Sequence, residues 1–570
     1  MKTAWNQWTD AIAKHLSKQL SITVDPAEIV MPPDQKLGDF AFGTFRLAKE
    51  QKKNPAEVAK EIAETMVPGK VPGLESVSAV GPYVNFTLAI GSAVAQVIED
   101  VEAAGERYGK LAERKEQVLL EYAQPNTHKE VHVGHVRNLV LGSAVGKLLS
   151  HAGWNIQYVS YHGDVGAHVA KCLWYLDKTK KKISAKDKTG KFLGRLYAEA
   201  TTYLDDHPEA KEEVSLVQQK LESHEPTWEK LWQETRGWSL KEMDVVFKEL
   251  GARIDRQYLE SEVVDRGQEI VDLLLKKKVA KESQGAIVVD LEEIKLGVFL
   301  VRKSDGTSLY ATKDLALAEL KAKEYPTYQR SLYIVDNRQS FYFKQLFETL
   351  HRMGFDKPLE FIGYEFVTLK TGAMSSREGN IVTYESFRDA VVDYARKEIV
   401  ARHEDWSVKQ VDETAWALAM AGMKFSMLKQ DNDRVFTFDM EQALSFDGAT
   451  GPYCQYAGVR LSSILKKAKS YQLTATSLQP VFDHPSEKTL ALMMARFPQR
   501  VEQAAKELRP SVIAQYTLEL AQSINEFYRD VPVLESKDEL LDGRLRLAAA
   551  ARAVLSQALE ILGIPLPKQM

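Results

Sequence analysis

Cysteine is scarce in this sequence, and its scarcity excludes two classes of protein. The 570 residues contain only Cys172 and Cys454, too few for a disulfide framework or a cysteine-rich zinc cluster. No run of about 18 apolar residues occurs either, so the sequence predicts no membrane-spanning helix. The first residues lack an apolar signal core and have the pattern of an amphipathic helix. We therefore expect a cytoplasmic protein.

A surplus of positive charge is also missing. The formal net charge is −4, whereas a protein that binds nucleic acid by bulk electrostatics is normally strongly basic. A local basic surface stays compatible with this charge. We interpret the lysine-rich segment 178–191 as a solvated surface loop, since runs of charge usually face water.

The length predicts several domains, because single hydrophobic cores stop growing well below 570 residues. Residues 1–110 combine helical patterns with a strand-like end and predict an α+β domain. Residues 111–400 predict an α/β domain with a helical insertion at about 178–260. Residues 401–570 are almost purely helical in pattern, and their number suits an all-α bundle.

The middle segment has the pattern of a doubly wound parallel sheet. Residues 116–123 predict a short buried strand, 136–153 a helix and 154–161 a second strand. This order is typical of a Rossmann-like fold, which binds ligands in a crevice at the carboxyl ends of its strands. The loop 162–164 is expected to face that crevice. Four further apolar segments continue the sheet pattern: GAIVVDL, GVFLVRK, SLYIVDN and EFIGYEFV.

Two histidines mark the loop between the first strand and the helix. His132 and His135 flank Gly134, and the free N–H groups and positive dipole end of a helix N-terminus favour an anion there. Imidazoles at that point can donate hydrogen bonds to a triphosphate. Gly134 would leave space for a flat base, and Lys129 adds positive charge. The alternative, a metal-binding pair, lacks the glutamate and third ligand of a zinc protease site.

The wider string around the histidines carries a family resemblance. Residues 125–135, PNTHKEVHVGH, resemble the HIGH segment of class I aminoacyl-tRNA synthetases, in the form typical of the arginyl enzymes. The resemblance implies that Lys129, His132, Gly134 and His135 bind ATP and stabilise its phosphate during adenylate formation. It also implies a Rossmann-like catalytic domain between an N-terminal tRNA-binding domain and a helical anticodon-binding domain.

A second stretch resembles the mobile KMSKS loop of the same family. The matching residues are 371–380, TGAMSSREGN, and the resemblance implies ATP contacts for Met374, Ser375, Ser376 and Arg377. Ala373 and Ser376 stand where the family pattern has lysines. We therefore hypothesise that Lys129 supplies the positive charge that this loop lacks, with Arg377 as a second contributor. A serine-rich surface loop is the alternative for so short a string.

Recognition of arginine requires carboxylates, because a guanidinium has five donors and no acceptor. The resemblance implies six arginine-binding residues: Glu121, Asn126, His135, Tyr310, Asp314 and Gln339. Glu121 and Asp314 would hold the guanidinium, while Asn126 and Gln339 would orient the amino and carboxyl groups. Tyr310 would shape the pocket from the same helical face as Asp314. The alternatives are a strand-edge charge for Glu121, a helix cap for Asp314, and a register shift to Arg338 for Gln339.

Two segments resemble the tRNA-facing parts of arginyl enzymes. Near the N-terminus, residues 36–42 and 81–86 imply stacking of exposed aromatic side chains on an unpaired base, with Phe40 and Phe42 as candidates. Toward the C-terminus, the implied tRNA contacts are Tyr453, Gln455, Tyr456, Arg460 and Met570, on a surface that reads anticodon bases. Packing in a domain core is the alternative for each aromatic residue.

The resemblance implies one activity and its partners. ATP, accompanied by Mg²⁺, activates L-arginine to an adenylate, and the arginyl group passes to the terminal 2′-hydroxyl of tRNA(Arg). The protein would be a monomer without structural zinc and without membrane contact. Two other interpretations stay open. One is a synthetase for another amino acid or a small nucleotidyltransferase, and the other is a non-catalytic tRNA-binding paralogue, which Ala373 and Ser376 make conceivable.

Overall fold

The structure is a computed structural model that describes residues 3–181, 183–304, 309–370, 382–468, 482–536 and 538–570. An N-terminal, a middle and a C-terminal region follow one another along the chain and pack together through their helices. Within these ranges no helix is both long and apolar enough to cross a bilayer.

The N-terminal region is an antiparallel sheet covered by helices. Its elements are α1 (Ala4–Leu20), β1 (Ile29–Val30), β2 (Phe40–Gly43), α2 (Phe45–Gln51), α3 (Pro55–Thr65), β3 (Leu74–Val80), β4 (Tyr83–Leu88) and α4 (Ile90–Ala104). The strand order is β1-β2-β4-β3. Helix α1 starts after Thr3, whose side chain accepts the backbone N–H of Asn6, and it buries Trp8, Ile12 and Leu16 at helical spacing. The predicted amphipathic helix is confirmed.

The middle region is built on a parallel sheet, as predicted. Its strands and first helices are β5 (Gln117–Glu121), α5 (Val133–His151), β6 (Asn155–His162), α6 (Ala167–Thr179), α7 (Gly190–Asp206), α8 (Lys211–Glu222), α9 (Pro226–Glu249), β7 (Arg256–Leu259) and α10 (Val264–Lys276). The second half holds β8 (Lys281–Ser283), β9 (Ala286–Asp290), β10 (Val298–Arg302), α11 (Tyr310–Glu324), β11 (Tyr328–Asp336), α12 (Ser340–Met353), β12 (Leu359–Tyr364), β13 (Val367–Leu369) and α13 (Tyr384–Val400). The order β12-β11-β5-β6-β7 is parallel throughout.

Helix α5 begins at Val133, earlier than the predicted residue 136. The reason is local: His132 takes the N-cap position, and its ring accepts the backbone N–H of Gly134. A histidine cap has no place among the usual capping residues Ser, Thr, Asp and Asn, so sequence periodicity placed the helix start too late.

Two of the four later segments do not join the parallel sheet. GAIVVDL and GVFLVRK contain β9 and β10, which pair antiparallel with each other in a separate sheet of order β10-β9-β8. Only seven residues connect them, through a turn that holds Gly297 at a φ of +61°, and parallel neighbours need a much longer crossover. The prediction is wrong for these two segments, whereas SLYIVDN and EFIGYEFV supply β11 and β12 as expected.

The helical insertion is formed by α7, α8 and α9. Lysines of the segment 178–191 form solvent-facing ion pairs: Lys181 with Glu199 at 2.6 Å, Lys188 with Glu234 at 2.7 Å, and Lys191 with Glu385. Such pairs contribute little stability. This pattern agrees with the interpretation of the segment as a solvated surface loop.

The C-terminal region is a helical bundle. It contains α14 (Val408–Leu428), β14 (Phe436–Phe438), α15 (Met440–Ala443), α16 (Gly451–Ala468), α17 (Pro485–Ala495), α18 (Phe497–Glu507), α19 (Pro510–Asp530) and α20 (Asp538–Ile561). The short strand β14 was not predicted, and it pairs in parallel with β13 of the middle region. Helices α14 and α20 pack on α5, and α17 packs on α4, so the bundle contacts both other regions.

Candidate active site

The two signature histidines cap helix α5 through their ring nitrogens. The backbone N–H of Gly134 donates to Nδ1 of His132 over 3.1 Å, and the backbone N–H of His132 donates to Nδ1 of His135 over 3.2 Å. The two rings stack with centroids 3.7 Å apart. Burial, with a contribution from Lys129, lowers the pKa of His132, and burial lowers the pKa of His135 well below its ordinary value. Each neutral ring therefore accepts at Nδ1 and carries its proton on Nε2, where it can donate to an anion.

Gly134 is required by the ring beside it. A β-carbon at this position would lie 2.9 Å from Cε1 of His132, closer than packing allows. The structure therefore indicates a reason for glycine here that differs from the predicted one: a side chain at position 134 would displace the imidazole of His132. The positive end of the α5 dipole adds partial positive charge at the same point.

A buried histidine that sequence reasoning missed anchors the loop. His128 adopts a φ of +59°, and its ring nitrogens lie 2.9 Å from the hydroxyls of Thr127 and Thr235. Its backbone N–H donates to Oγ of Ser239 over 3.0 Å. Burial lowers the pKa of His128 to about 3, so the ring stays neutral at physiological pH. Because Thr235 and Ser239 belong to α9, the helical insertion holds in place the segment between β5 and α5, which we call the phosphate loop.

The loop also pairs with the residues that follow the second signature. The N–H of Val133 donates to the carbonyl of Val382 over 3.1 Å, and the N–H of Tyr384 donates to the carbonyl of Val131 over 2.8 Å. The chain at 382–384 therefore runs beside the N-terminus of α5. The predicted ATP contacts Met374, Ser375, Ser376 and Arg377, together with Ala373, lie outside the described residues.

Lys129 lies against an aromatic ring of the insertion. Its Nζ is 4.9 Å from the ring centroid of Tyr197, and Nζ of Lys171 sits over the same ring at 4.8 Å. The charge of Lys129 helps to lower the pKa of both His132 and His135. Lys129 is therefore within electrostatic range of the histidine pair.

Asp314 is partly buried in a cluster of acidic and phenolic groups, called the acidic pocket below, beside Glu121 of β5 and Tyr161 of β6. Burial, together with the charges of Glu121 and Glu260, raises the pKa of Asp314 to about 7. The hydroxyl of Tyr342 donates to its carboxylate and opposes this rise. Glu260 is buried as well and forms an ion pair with Lys313. An ionised carboxylate in such a place is stabilised by a cationic ligand.

The phenol of Tyr161 closes the same pocket. Its hydroxyl is buried and finds no hydrogen-bond partner in the described part of the chain. Burial and the charges of Asp314 and Glu260 raise the pKa of Tyr161 well above its ordinary value. An unpartnered buried phenol beside a buried carboxyl group leaves hydrogen-bonding capacity for a ligand rich in donors.

Sequence reasoning missed Tyr161, Tyr342 and Glu260 as pocket residues. Tyr161 carried a usable signal, since it stands at the end of the second strand of the parallel sheet, directly before the crevice loop. Tyr342 and Glu260 carried none, because they come from segments far along the chain from the signatures.

The other predicted arginine contacts occupy different settings. Glu121 is buried, which excludes a plain strand-edge charge, and its carboxylate already pairs with Lys321 and accepts from Nε2 of Gln124 over 3.3 Å. Tyr310 is exposed at the start of α11, one turn before Asp314.

Asn126 faces the crevice loop. A β-carbon on Gly163 would meet its Oδ1 at 2.4 Å, so this glycine permits the close approach of the loop to the amide. Gln339 ends the short 3₁₀ turn Asn337–Gln339 after β11. Both amides therefore follow strands of the parallel sheet, β5 and β11, at their carboxyl ends.

The predicted aromatic contacts of the N-terminal region are wrong. Phe40 is 0% exposed and Phe42 is 1% exposed, because both point into the core under α1, where Phe40 packs on Trp5 with ring centroids 4.9 Å apart. The exposed aromatics of this region are Phe45 and Tyr83, at 53% and 39%, and their ring centroids are 5.6 Å apart.

Two of the predicted tRNA contacts of the C-terminal region line one cavity of about 350 Å³. Tyr456 and Met570 line it together with Arg402, His403 and Phe446. The cavity walls thus combine aromatic side chains with the guanidinium of Arg402, which suits an unpaired base.

The three remaining predicted contacts of this region do not line the cavity, although one of them contacts a residue that does. The guanidinium of Arg460 lies 4.4 Å from the ring centroid of Tyr456. Gln455 is fully buried and donates to the carbonyls of Ala417 and Pro565, over 3.0 and 2.5 Å, so the prediction of a tRNA contact is wrong for this residue. Tyr453 packs half-buried against the core.

Comparison with known proteins gives consistent matches along the chain. The model of the class I (R) tRNA synthetase catalytic domain matches residues 97–440, that of the arginyl tRNA synthetase N-terminal domain 6–88, and that of the DALR anticodon binding domain 454–570. An arginine–tRNA ligase of Bdellovibrio bacteriovorus is 36% identical over 95% of this chain and 94% of that protein. One of Clostridioides difficile is 33% identical over 95% and 96%.

A solved structure agrees. The arginyl-tRNA synthetase of Thermus thermophilus matches with a TM-score of 0.80 at 27% identity, over 99% of each chain. Family models, full-length relatives and the fold all point the same way, so the chain belongs to the class I arginyl-tRNA synthetase family.

Proposed function

We propose that this protein activates L-arginine with ATP and transfers the arginyl group to the terminal 2′-hydroxyl of tRNA(Arg). The observation that carries the proposal is the pairing of two sites on one sheet edge: an anion-binding helix N-terminus with two Nε2–H imidazoles, and a buried acidic pocket around Asp314. The first suits a triphosphate and the second suits a guanidinium.

In the first step, the acidic pocket holds the guanidinium and presents the other end of arginine to the phosphate loop. An oxygen of the arginine carboxylate forms a bond to the α-phosphorus of ATP, and the bond from that phosphorus to the bridging oxygen breaks, so pyrophosphate leaves. Nε2–H of His132 and His135 donate to the phosphate oxygens as charge builds on them. Asn126 and Gln339, at the ends of β5 and β11, orient the amino and carboxyl groups of the substrate.

Mg²⁺ accompanies ATP in this proposal. Across the described residues, no group of three or more His, Cys, Asp or Glu side chains is placed to hold a metal ion. Mg²⁺ would bind through the phosphates of ATP and would neutralise part of the charge of the leaving pyrophosphate.

In the second step, the 2′-hydroxyl of the terminal tRNA ribose attacks the carbonyl carbon of arginyl-adenylate, and AMP leaves. The proposed division of labour follows the three regions of the chain. Residues 1–110 bind the outer corner of the tRNA, 111–400 carry the chemistry, and 401–570 bind the anticodon. We propose that the protein acts as a cytoplasmic monomer.

Two surfaces support the proposed tRNA contacts. In the N-terminal region, the exposed pair Phe45 and Tyr83 replaces Phe40 and Phe42 as the stacking platform. In the C-terminal region, the cavity at Tyr456 and Met570 accepts one anticodon base, with Arg460 supporting the tyrosine ring.

Lys129 takes the role of the missing loop lysine. Ala373 and Ser376 remove positive charge from the second signature, whereas Lys129 is held within electrostatic range of His132 by its contact with Tyr197. We propose that Lys129 neutralises charge on the departing pyrophosphate.

Charging of total tRNA with a panel of labelled amino acids tests the proposal. We expect stable incorporation of arginine alone. Incorporation of a different amino acid would assign the protein to another synthetase specificity, and no incorporation with tight tRNA binding would favour the non-catalytic paralogue. ATP–pyrophosphate exchange with and without tRNA adds a second readout, and we expect exchange only when tRNA(Arg) is present.

A further inference from the structure

A second cavity, of about 400 Å³, lies between the catalytic region and the helical bundle. It is bounded by α5 and the end of α9 on one side, and by α14, α20 and the segment 563–566 on the other. Lys147 on α5 lies twelve residues after His135, which places it roughly 18 Å along the helix from the phosphate loop. The cavity is therefore separate from the ATP site.

Two ammonium groups flank one point of this cavity. A β-carbon built on Gly563 would lie 3.3 Å from Nζ of Lys147 and 3.4 Å from Nζ of Lys424. Lys424 is 5% exposed, and its ammonium group donates to the carbonyl of Gly563 over 2.6 Å. An ammonium group has three donors, so this carbonyl leaves two of them for another acceptor.

The charged groups that line the cavity leave it positive. They are Lys147 on α5, Lys248 and Glu249 on α9, Lys424 on α14 and Glu560 on α20. Glu249 is engaged elsewhere, since its carboxylate accepts from Tyr384 and forms an ion pair with Arg388 at 2.8 Å. Glu560 is exposed at the rim, and its charge raises the pKa of Lys147 against the effect of burial.

The burial of Lys147 and Lys424 lowers the stability of the folded protein. Burial lowers the pKa of Lys147, and burial together with the charge of Lys147 lowers the pKa of Lys424 to about 7. A buried ammonium group with one carbonyl partner is costly compared with an apolar side chain of the same length. Two of them facing the same open space have the arrangement of an anion receptor.

We propose that this cavity binds a phosphate group, held between the ammonium groups of Lys147 and Lys424. The group belongs either to free phosphate or pyrophosphate, or to the backbone of the bound tRNA, and only the second source rests on the proposed function. Phosphate supplies the negative charge and the several acceptor oxygens that two facing ammonium groups require.

Two elements line both this cavity and the proposed anticodon cavity, and they would connect a bound phosphate to the second cavity. The C-terminal segment lines the phosphate cavity at 563–566 and the anticodon cavity at Met570. Helix α14 lines the first with Met420 and Lys424 and the second with Thr414 and Leu418. A bound phosphate thus ties α5 of the catalytic region to the segment that carries Met570.

Direct titration of the full-length protein tests the site. Phosphate and pyrophosphate are titrated by calorimetry at constant ionic strength, with a non-hydrolysable ATP analogue filling the nucleotide site. We expect one saturable site whose affinity falls at least tenfold in Lys147→Met and in Lys424→Met. Lys409→Met is the matched control, because Lys409 lies on the same helix α14 and is 85% exposed.

A tRNA arm separates the two sources. If free phosphate does not bind, the affinity for tRNA(Arg) is measured against salt concentration in the same four proteins. A backbone contact predicts weaker binding and a salt slope about one unit shallower in the two cavity variants, with Lys409→Met like the unmodified protein. Unaltered phosphate and tRNA binding in both cavity variants would overturn the proposal.

Two controls keep these outcomes distinct. Failure of the unmodified protein to bind tRNA would count against the proposed function, not against a free-phosphate site. Circular dichroism and thermal unfolding of each variant establish that it folds. We expect both cavity variants to fold, because methionine keeps the length of the lysine side chain and removes a buried charge.

Discussion

Arginine binding should depend on pH through Asp314. The pKa of this carboxyl group stands at about 7 before the ligand arrives, and a guanidinium requires the ionised form as its acceptor. Binding below pH 7 must therefore expel a proton. At pH 6 only about one Asp314 in ten is ionised, so we expect the Kd for arginine to be roughly tenfold higher than at pH 8, or about 1.4 kcal/mol.

Isothermal titration with arginine across pH 5.5–8.5 measures this dependence. Repeating it at pH 6 in buffers of different ionisation enthalpy counts the proton released, and we expect close to one. Tyr342→Phe provides the matched test, because the Tyr342 hydroxyl donates to Asp314 and keeps its pKa from rising further. The midpoint of the pH profile should then move upward. A Kd that is flat across this range, or a midpoint unmoved by Tyr342→Phe, would refute the assignment of Asp314.

Three further predictions concern stability and tRNA binding. Asp314→Asn should raise the free energy of unfolding by roughly 2–4 kcal/mol at pH 8, as measured by chemical denaturation. Because the pKa of Asp314 is higher in the folded protein than in the unfolded chain, this gain should vanish below about pH 4. Lys424→Met in phosphate-free buffer should stabilise the protein by on the order of 5 kcal/mol below pH 7, because burial lowers the pKa of Lys424 from 10.5 to about 7. The gain should shrink as the pH rises toward 10.5. Equal stability of the variant and the unmodified protein at pH 6 would contradict this prediction. Phe45→Ala should weaken binding of tRNA(Arg) by roughly 1–3 kcal/mol in filter-binding assays, whereas Phe42→Leu, a core change, should alter stability and leave the tRNA affinity of the folded protein unchanged.

Local patterns predicted much of the fold. Alternation of apolar strand, loop and helix from residue 116 to 161 located β5, α5 and β6, because each of those elements buries a face whose period is visible in the sequence. The same reasoning failed for β9 and β10, since apolar content shows that a strand is buried but not which sheet it joins. The short connection between them was the signal that favoured an antiparallel pair.

The site was predictable where it follows a signature and not where it is assembled from distant segments. Lys129, His132, Gly134 and His135 lie within one short segment at the start of α5, and the structure keeps them together. The setting of Glu121 depends instead on Lys321, 200 residues away. That of Asp314 depends on Tyr342 and Glu260, each supplied by a different element. Such contacts arise from tertiary packing, which a single sequence does not reveal.

Burial excludes the two predicted aromatic candidates of the N-terminal region from a surface role. Phe40 and Phe42 belong to strand β2, where the FAFG run places both against the core, whereas Phe45 starts the next helix and stays exposed. The motif pointed to this region, but the two side chains that it singled out are buried.

The most direct test of the account is the rate of arginyl-adenylate formation in Lys129→Ala beside Lys171→Ala. Both lysines lie over the ring of Tyr197, at 4.9 and 4.8 Å, so the pair controls for loss of this packing contact. In single-turnover assays with ATP, arginine and tRNA(Arg), we predict that Lys129→Ala slows adenylate formation by roughly 10²–10³ and that Lys171→Ala stays within a few-fold of the unmodified protein. A rate for Lys129→Ala within a few-fold of the unmodified protein would contradict the account.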